Sequence, residues 1–153
     1  MSLAEVLKLI HVIAVIIWVG GAFMMIVLFA LTARSGEEAT VLGLAKTGES
    51  LGKAVFNPAG IITLAAGIWL VIEADYEFSE AWISLGFLGV ILGAGLGMAF
   101  YPKALRRLQA GIGSGGLGGA ESVAALKSMR TIQIAEFVFL VIVVWAMVVK
   151  PGA

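Results

Sequence analysis

Cysteine is absent from this chain of 153 residues, and its absence excludes disulfide bonds, thiolate metal sites and cysteine nucleophiles. Charge is also scarce, because only 13% of the residues are charged, too few for an additional soluble domain. The formal net charge is zero, so nothing attracts the chain as a whole to nucleic acid. Apolar residues dominate instead: they make up 61% of the chain, against roughly 45–50% in a soluble globular domain.

Four long apolar runs occupy most of the chain. They lie at residues 9–31, 59–72, 82–101 and 132–149. A helix of about 20 apolar residues crosses a hydrocarbon layer of about 30 Å, and only helices or closed barrels satisfy every backbone polar group in lipid. The sequence therefore predicts an all-α fold, a single domain over residues 1–153 built as an antiparallel bundle of four transmembrane helices in a lipid bilayer. The predicted spans cover about residues 3–33, 55–74, 81–101 and 131–149.

Basic residues are concentrated at one end of this predicted bundle. The loops after the first and third spans carry eight of the ten lysines and arginines, whereas the opposite end has only Lys8 and Lys150. The connection between the second and third spans is acidic and contains Glu73, Asp75, Glu77 and Glu80. The positive-inside rule therefore places the first and third loops in the cytoplasm and both termini on the non-cytoplasmic side.

The two predicted cytoplasmic loops differ in character. Residues 34–53 form a polar loop with a predicted amphipathic helix near residues 37–51. The third span is expected to kink or stop at Pro102, because proline removes a helical hydrogen bond. Residues 111–119 read GIGSGGLGG, with no GK[ST] after them and no strand before them. We therefore expect a flexible glycine-rich linker between the third and fourth spans, and no phosphate loop.

Three glycines at four-residue spacing mark one face of the third span. Gly89, Gly93 and Gly97 form a double small-xxx-small pattern, which lets a neighbouring helix approach closely. Packing inside the bundle is one interpretation of this face, and a homodimer contact through the same three glycines is the other. The sequence leaves both open.

The single histidine, His11, lies within the first span, where an ionisable group is costly and marks a functional candidate. Trp18 lies on the same helical stripe and is a second candidate contact for a cofactor. Glu73 is among the acidic residues predicted to lie at the same end of the bundle as His11, and a pair of Glu73 with His11 could bind a metal. Met147 is level with His11 in the last span, so the two could serve as axial ligands to haem b. A histidine hydrogen-bonded at headgroup level, with no further role, is the alternative.

Glu136 is the deepest carboxylate, about one turn inside the cytoplasmic end of the last span. Its predicted partners are Arg130, Arg106 and Arg107, which lie at the same end. A snorkelling, ion-paired carboxylate is the simplest interpretation of this position. His11 and Glu136 belong to opposite leaflets, so they cannot form a direct catalytic pair, although a proton path could use both.

Three segments resemble known families: LKLIHVIAVIIWVGG at residues 7–21, NPAGIITLAAGIWL at residues 57–70 and VVWAMVVKPG at residues 143–152. Together they resemble the small four-span bacterial membrane proteins of domain-of-unknown-function family 2269. The first-helix pattern, a histidine followed by Trp-x-Gly-Gly, is also similar to the copper-resistance-D domain and to the HemJ-type protoporphyrinogen oxidase. The resemblance implies a multi-pass protein of the bacterial inner membrane.

By the resemblance to the haem-binding oxidase, haem ligation would fall on His11. The last helix of that oxidase carries an arginine and an acidic residue and is followed by a Lys-Pro ending. The residues at comparable places in this sequence are Arg130, Glu136, Lys150 and Pro151. Two departures weigh against protoporphyrinogen oxidation. The third span has no lysine after Trp82, and it has no second histidine.

These observations favour a small integral membrane protein with a binding or assembly role, in a larger membrane complex or alone, over an enzyme. The first alternative is a b-type haem redox protein with His11 as axial ligand, which as an enzyme would be a haem-dependent membrane oxidoreductase. The second alternative is copper handling, with His11 as a metal ligand and methionine sulfur beside it.

Overall fold

The computed structural model describes residues 1–152, and all regular structure in that range is helical, as predicted. Six α-helices are present: α1 Leu3–Ser35, α2 Glu38–Leu51, α3 Asn57–Glu73, α4 Ala81–Gly95, α5 Tyr101–Gly115 and α6 Ala120–Val149. Short π-helical turns at Gly52–Phe56 and Leu96–Phe100 join α2 to α3 and α4 to α5 without a break.

Four continuous helical rods result, and each is long and apolar enough to cross a membrane. They are Leu3–Ser35, Glu38–Glu73, Ala81–Gly115 and Ala120–Val149. With 30 to 36 residues each, the rods measure about 45 to 54 Å at about 1.5 Å per residue. Because a hydrocarbon layer is only about 30 Å thick, every rod extends beyond it at one end or both.

Helix α1 begins and ends at clear local signals. Ser2 and Glu5 form a capping box, in which the Glu5 amide donates to Ser2 Oγ at 3.2 Å and the Ser2 amide donates to Glu5 Oε2 at 2.8 Å. Gly36 ends the helix in the left-handed region at φ 70°. Between these signals the isoleucines Ile13 and Ile16 are exposed on the surface of the bundle, where lipid is the solvent they suit.

The two π-helical turns occupy equivalent places in their rods. Each ends two residues before a proline, in the sequences Phe56-Asn57-Pro58 and Phe100-Tyr101-Pro102. Proline has no N–H, and its ring clashes with the carbonyl four residues earlier, so a wider turn just before it relieves the conflict. Pro102 therefore does not stop the third helix, which was one of the two sequence expectations, because the rod continues to Gly115.

The contacts between neighbouring rods run in opposite order along the chain. On α1, His11 contacts Thr63 and Gly67, whereas Trp18 further along contacts the earlier residue Gly60. The same reversal relates α6 to the third rod, where the contacts pair Met147 with Gly86, Val143 with Gly89 and Glu136 with Tyr101. The first rod is thus antiparallel to the second, and the third to the fourth.

The arginine-bearing end of the molecule has its own buried core. We call α2, α5 and the first three turns of α6 the basic-end bundle. Its core contains Val41, Ala45, Ala104, Leu105, Leu108, Ala125 and Met129, all buried. Helix α5 is strongly amphipathic, because Leu105 and Leu108 face this core while Arg106 and Arg107 are exposed. The polar loop predicted at residues 34–53 is therefore a helix that packs, and only Gly36 and Glu37 lie outside helices there.

The glycine-rich segment at residues 111–119 is mostly helical, so the prediction of a flexible linker is wrong over residues 111–115. Helices α5 and α6 approach so closely that a Cβ at Gly111 would lie 2.7 Å from the Ser122 amide nitrogen. The remaining turn is anchored at two points. Ser122 Oγ donates to the Gly116 carbonyl at 2.8 Å, and the Leu117 amide donates to Glu38 Oε1 at 2.9 Å. Glycine serves close helix packing here, which a composition-based interpretation misses.

The opposite, acidic end is closed by a smaller cluster around Trp82. This cluster buries Val71, Trp82, Ile83 and Ala146. The Lys150 ammonium donates to Tyr76 Oη and lies 5.0 Å from the Trp82 ring centroid, while Trp82 Nε1 donates to Glu80 Oε2 at 2.5 Å. The end of α6 is thereby tied to the connection between α3 and α4 by cation–π and hydrogen-bond contacts.

Candidate functional site

A cavity of about 120 Å³ lies inside the bundle between the basic-end bundle and the middle of the rods. Its wall includes residues of both π-helical turns, among them Gly52, Phe56 and Gly97. π-helical turns within α-helices often occur at functional sites, because they change the direction of nearby side chains. The exposed Lys53 also lines this central cavity, so the cavity reaches the surface beside that residue.

The polar centre of the central cavity is a hydrogen bond between two half-buried side chains. Tyr101 Oη, at the first residue of α5, donates to Glu136 Oε2 of α6 at 2.5 Å. Glu136 therefore pairs with a phenol and not with Arg130, Arg106 or Arg107, as the sequence had suggested. Within residues 1–152 the only ion pair is that of Lys53 with Glu49, and Arg130 is exposed on α6.

Trp18 closes the central cavity on the side toward the acidic end. Its six-membered ring lies against Gly60 of α3 and Gly93 of α4, and a Cβ at Gly60 would lie 3.8 Å from it. Bulky residues at either position would crowd this ring. Trp18, a candidate cofactor contact from sequence, is thus positioned as a wall of the cavity by two glycines on neighbouring rods.

The glycine pattern of the third rod meets other parts of the same chain. Gly89 faces Val143 of α6, Gly93 faces Trp18 of α1, and a Cβ at Gly97 would lie 3.3 Å from Asn57 Oδ1. Each glycine therefore accommodates a side chain from a different rod. A second copy of the chain could use the same positions only by displacing these internal contacts.

His11 lies about 10 Å along α1 from Trp18, on the acidic-end side of the cavity, at about 1.5 Å per residue. Its Nδ1 is 2.9 Å from the Thr63 carbonyl oxygen on α3. A carbonyl oxygen only accepts, so Nδ1 carries the hydrogen, and in the neutral ring Nε2 keeps its lone pair. Gly67 makes room for the imidazole, because a Cβ there would lie 3.1 Å from His11 Cε1.

Thr63 carries a second polar group beside the imidazole. The residue is buried, and its hydroxyl oxygen has no hydrogen-bond partner among residues 1–152. A threonine inside a helix usually donates to the carbonyl four residues earlier, so an unpartnered buried hydroxyl is unusual. The pair of His11 and Thr63 forms a small polar site in the apolar half of the bundle.

The remaining sequence-predicted site residues lie apart from these two places. Met147 packs against Gly86 of α4 beside the Trp82 cluster, whereas the contacts of His11 are with α3. Glu73 is exposed at the end of α3. Within residues 1–152, no three residues among His, Cys, Asp and Glu form a group that could hold a metal ion.

Tyr101 and Thr63 are the site residues that sequence reasoning missed. Tyr101 was not among the site residues predicted from the sequence, yet it lines the cavity and its hydroxyl donates to Glu136. The repeated Phe-x-Pro pattern, which ends each π-helical turn, was the available signal for this region. No pattern in the sequence indicates that the Thr63 carbonyl meets His11, because that contact spans 52 residues.

The family model described as "Predicted integral membrane protein (DUF2269)" matches residues 5–151, so the chain belongs to this family of integral membrane proteins. The family resemblance predicted from the three sequence segments is thereby confirmed. The similarity to the copper-resistance-D and HemJ-type groups stays a prediction. No curated protein matches the chain, and no solved structure matches it.

Proposed function

We propose that this family member is a membrane-embedded binding protein whose ligand occupies the central cavity, and that it is not an enzyme. The observation that supports the proposal best is Glu136, a half-buried carboxylate with one hydrogen-bond donor, Tyr101, and no cationic side chain in contact. A carboxylate within a transmembrane segment is costly and marks a functional site by default. Glu136 lies on the wall of a cavity, and a ligand bound there would offset the energetic cost of burying its carboxylate.

The cavity is suited to a small ligand. A volume of about 120 Å³ is below the roughly 300–1,000 Å³ of sites that hold drug-sized molecules. The proposed ligand is therefore a small polar molecule or ion, not a porphyrin.

Extraction of small molecules from the purified protein tests the proposal. Full-length protein would be isolated from its own membranes in lipid nanodiscs and analysed by mass spectrometry, together with Ala22→Phe, which fills the cavity. Ala65→Phe, at an exposed position of α3, is the matched control. We expect a small molecule near one-to-one stoichiometry in the wild type and the control, but not in Ala22→Phe. Equal amounts in all three proteins, or none in any, would contradict the proposal.

A haem redox protein that uses His11 is a second candidate, favoured by one specific contact. Ligating histidines commonly donate the other ring N–H to a carbonyl, as His11 does to Thr63. The central cavity does not fit this group, because it is too small and His11 does not line it. A haem would have to bind on the acidic-end side of Trp18, and it would supply one-electron chemistry there.

An absorbance spectrum tests the haem candidate. Protein produced with added haem precursor should show a Soret band that His11→Ala abolishes, whereas Trp69→Ala, at an exposed position of α3, keeps it. A wild-type spectrum without that band would exclude the candidate. Copper content measured in the same wild-type and His11→Ala preparations tests copper handling, the other sequence-based alternative.

For the location we propose the bacterial inner membrane, with both termini on the non-cytoplasmic side. The support is the positive-inside rule together with the basic residues at that end of the molecule, where Arg34 of α1 lies near Lys127 and Arg130 of α6. The absence of native cysteine makes labelling clean. On intact cells, an impermeant maleimide should label Ser79→Cys at the acidic end and spare Thr47→Cys at the basic end. The reverse pattern would invert the proposed orientation.

A further inference from the structure

The wall of the central cavity is rich in aromatic rings. Trp18, Phe29, Phe56 and Tyr101 all line it, and they come from α1, the first π-helical turn and α5. The face of an aromatic ring carries negative electrostatic potential and attracts cations, most strongly when the cation has left water. Four such rings line this cavity of about 120 Å³, so a cation inside it would lie close to several of them.

The ionisable residues of the wall leave one negative charge without a partner. Glu49 and Lys53 neutralise each other across 2.7 Å. Glu136 has only the neutral phenol of Tyr101, so the wall carries a net charge of −1 when Glu136 is ionised: two carboxylates against one ammonium. Such a carboxylate requires a proton or a cation from outside the chain.

We infer that the ligand is a small organic cation, an ammonium with short alkyl or methyl groups. This inference rests on the proposed binding function and names its ligand class. The aromatic rings and the carboxylate suit such a molecule. Its positive charge is spread over the groups attached to nitrogen, so these groups are attracted to the rings, and the cation as a whole is attracted to the Glu136 carboxylate. A metal cation suits the cavity less, because within residues 1–152 no three residues among His, Cys, Asp and Glu form a group that could hold one.

The ammonium could be a free molecule or the headgroup of a lipid. Both present the same chemistry to Glu136 and the rings, so the experiment carries an arm for each. Full-length protein in phosphatidylglycerol nanodiscs is compared with protein in nanodiscs that also contain phosphatidylethanolamine. If the second lipid competes with a soluble ammonium probe, the ligand is a headgroup, and if it does not compete, the ligand is free. Either result supports the cation class.

Two probes of similar shape test the inference directly. Tetramethylammonium is the cation and tert-butanol is the neutral counterpart, and the methyl protons of both are followed by saturation-transfer NMR with empty nanodiscs subtracted. Glu136→Gln removes the charge but keeps an acceptor for Tyr101, so the fold should persist, which the thermal unfolding midpoint checks. Glu73→Gln is the matched control, because Glu73 is exposed at the other end of the bundle.

We expect Glu136→Gln to weaken tetramethylammonium binding about tenfold or more, which corresponds to about 1.4 kcal/mol, while Glu73→Gln leaves it unchanged. Binding of tert-butanol should be weak and equal in all three proteins. The cation class is overturned if Glu136→Gln binds tetramethylammonium as well as the wild type does, or if the wild type prefers tert-butanol or binds neither probe. The proposed binding function is decided separately, by the small-molecule extraction with Ala22→Phe.

Discussion

The basic-end bundle and the middle of the rods pack by different means. In the basic-end bundle, leucine, valine and alanine side chains form a buried core, and Leu108 and Val41 are almost completely inaccessible. In the middle of the rods, aromatic, imidazole and thioether side chains lie against glycines of neighbouring helices, as Trp18 does against Gly60 and Gly93.

The solvent explains this difference. A core of apolar side chains beneath exposed charged ones, as in the basic-end bundle, is the packing that water drives in a soluble protein. Lipid tails are as apolar as leucine, so helices within the bilayer gain little from burying apolar surface and associate through close backbone approach and shape fit. The comparison shows where the cavity belongs: it lies where the two kinds of packing meet, and both π-helical turns lie there too.

The largest expected effect is at the centre of the basic-end core. Leu108→Ala should destabilise the protein by about 2–5 kcal/mol, because Leu108 has 0% exposure and the lost side chain leaves a cavity. Leu88→Ala, at an exposed position of α4, should cost less than about 0.5 kcal/mol. Unfolding by titration with sodium dodecyl sulfate measures both. Equal losses of stability would show that exposed and core leucines contribute alike, and would contradict the proposed difference in packing between the two regions.

The next effect tests glycine packing in the middle of the rods. Gly93→Leu should cost about 1–3 kcal/mol, because its side chain would collide with Trp18. Gly95→Leu lies two residues further along, where no atom is within 4 Å of the position its Cβ would take. That variant should be as stable as the wild type or up to about 1 kcal/mol more stable, since leucine favours helix. If both variants lose the same stability, the loss is not caused by Trp18.

A smaller effect of opposite sign is expected at the site beside His11. Thr63→Val keeps the shape and removes a buried hydroxyl without a partner, so it should be neutral or stabilise the protein by about 1 kcal/mol. Thr32→Val is the comparison, because Thr32 Oγ1 donates to the Leu28 carbonyl at 2.7 Å. That variant should show no gain. A clear loss of stability in Thr63→Val would mean that its hydroxyl has a partner in the membrane-bound protein.

The smallest effect concerns charge at the opening of the cavity. The Lys53 side chain is 69% exposed, so its i,i+4 pair with Glu49 should contribute only about 0.3–0.5 kcal/mol. A double-mutant cycle with Lys53→Met and Glu49→Gln measures this coupling, which should vanish in about 1 M salt, where charges are screened within about 3 Å. A coupling above about 1 kcal/mol that persists in salt would indicate that the pair is desolvated by the cavity.

Single residues show how far sequence reasoning reached in the candidate site. His11 and Glu136 were identified because an ionisable group in an apolar run is conspicuous. Their partners were not: Glu136 was assigned to arginines, but it contacts Tyr101, which is 35 residues away, and Trp18 proved to be a wall of the cavity. Charge suggests a partner, but only the rotation and register of the rods decide which side chain arrives within hydrogen-bond distance.

The amino-acid sequence alone determined that this chain is helical, that it has four segments able to cross a membrane, and that it belongs to its family. These properties follow from the length and hydrophobicity of each segment, because those two quantities decide whether a helix can cross the hydrocarbon layer. The tertiary structure alone decided that the glycines of the third rod meet Val143, Trp18 and Asn57, and that a cavity forms around Glu136. Contacts of this kind depend on how rods rotate and approach one another, and an apolar run carries little information about either because every face of it is compatible with lipid.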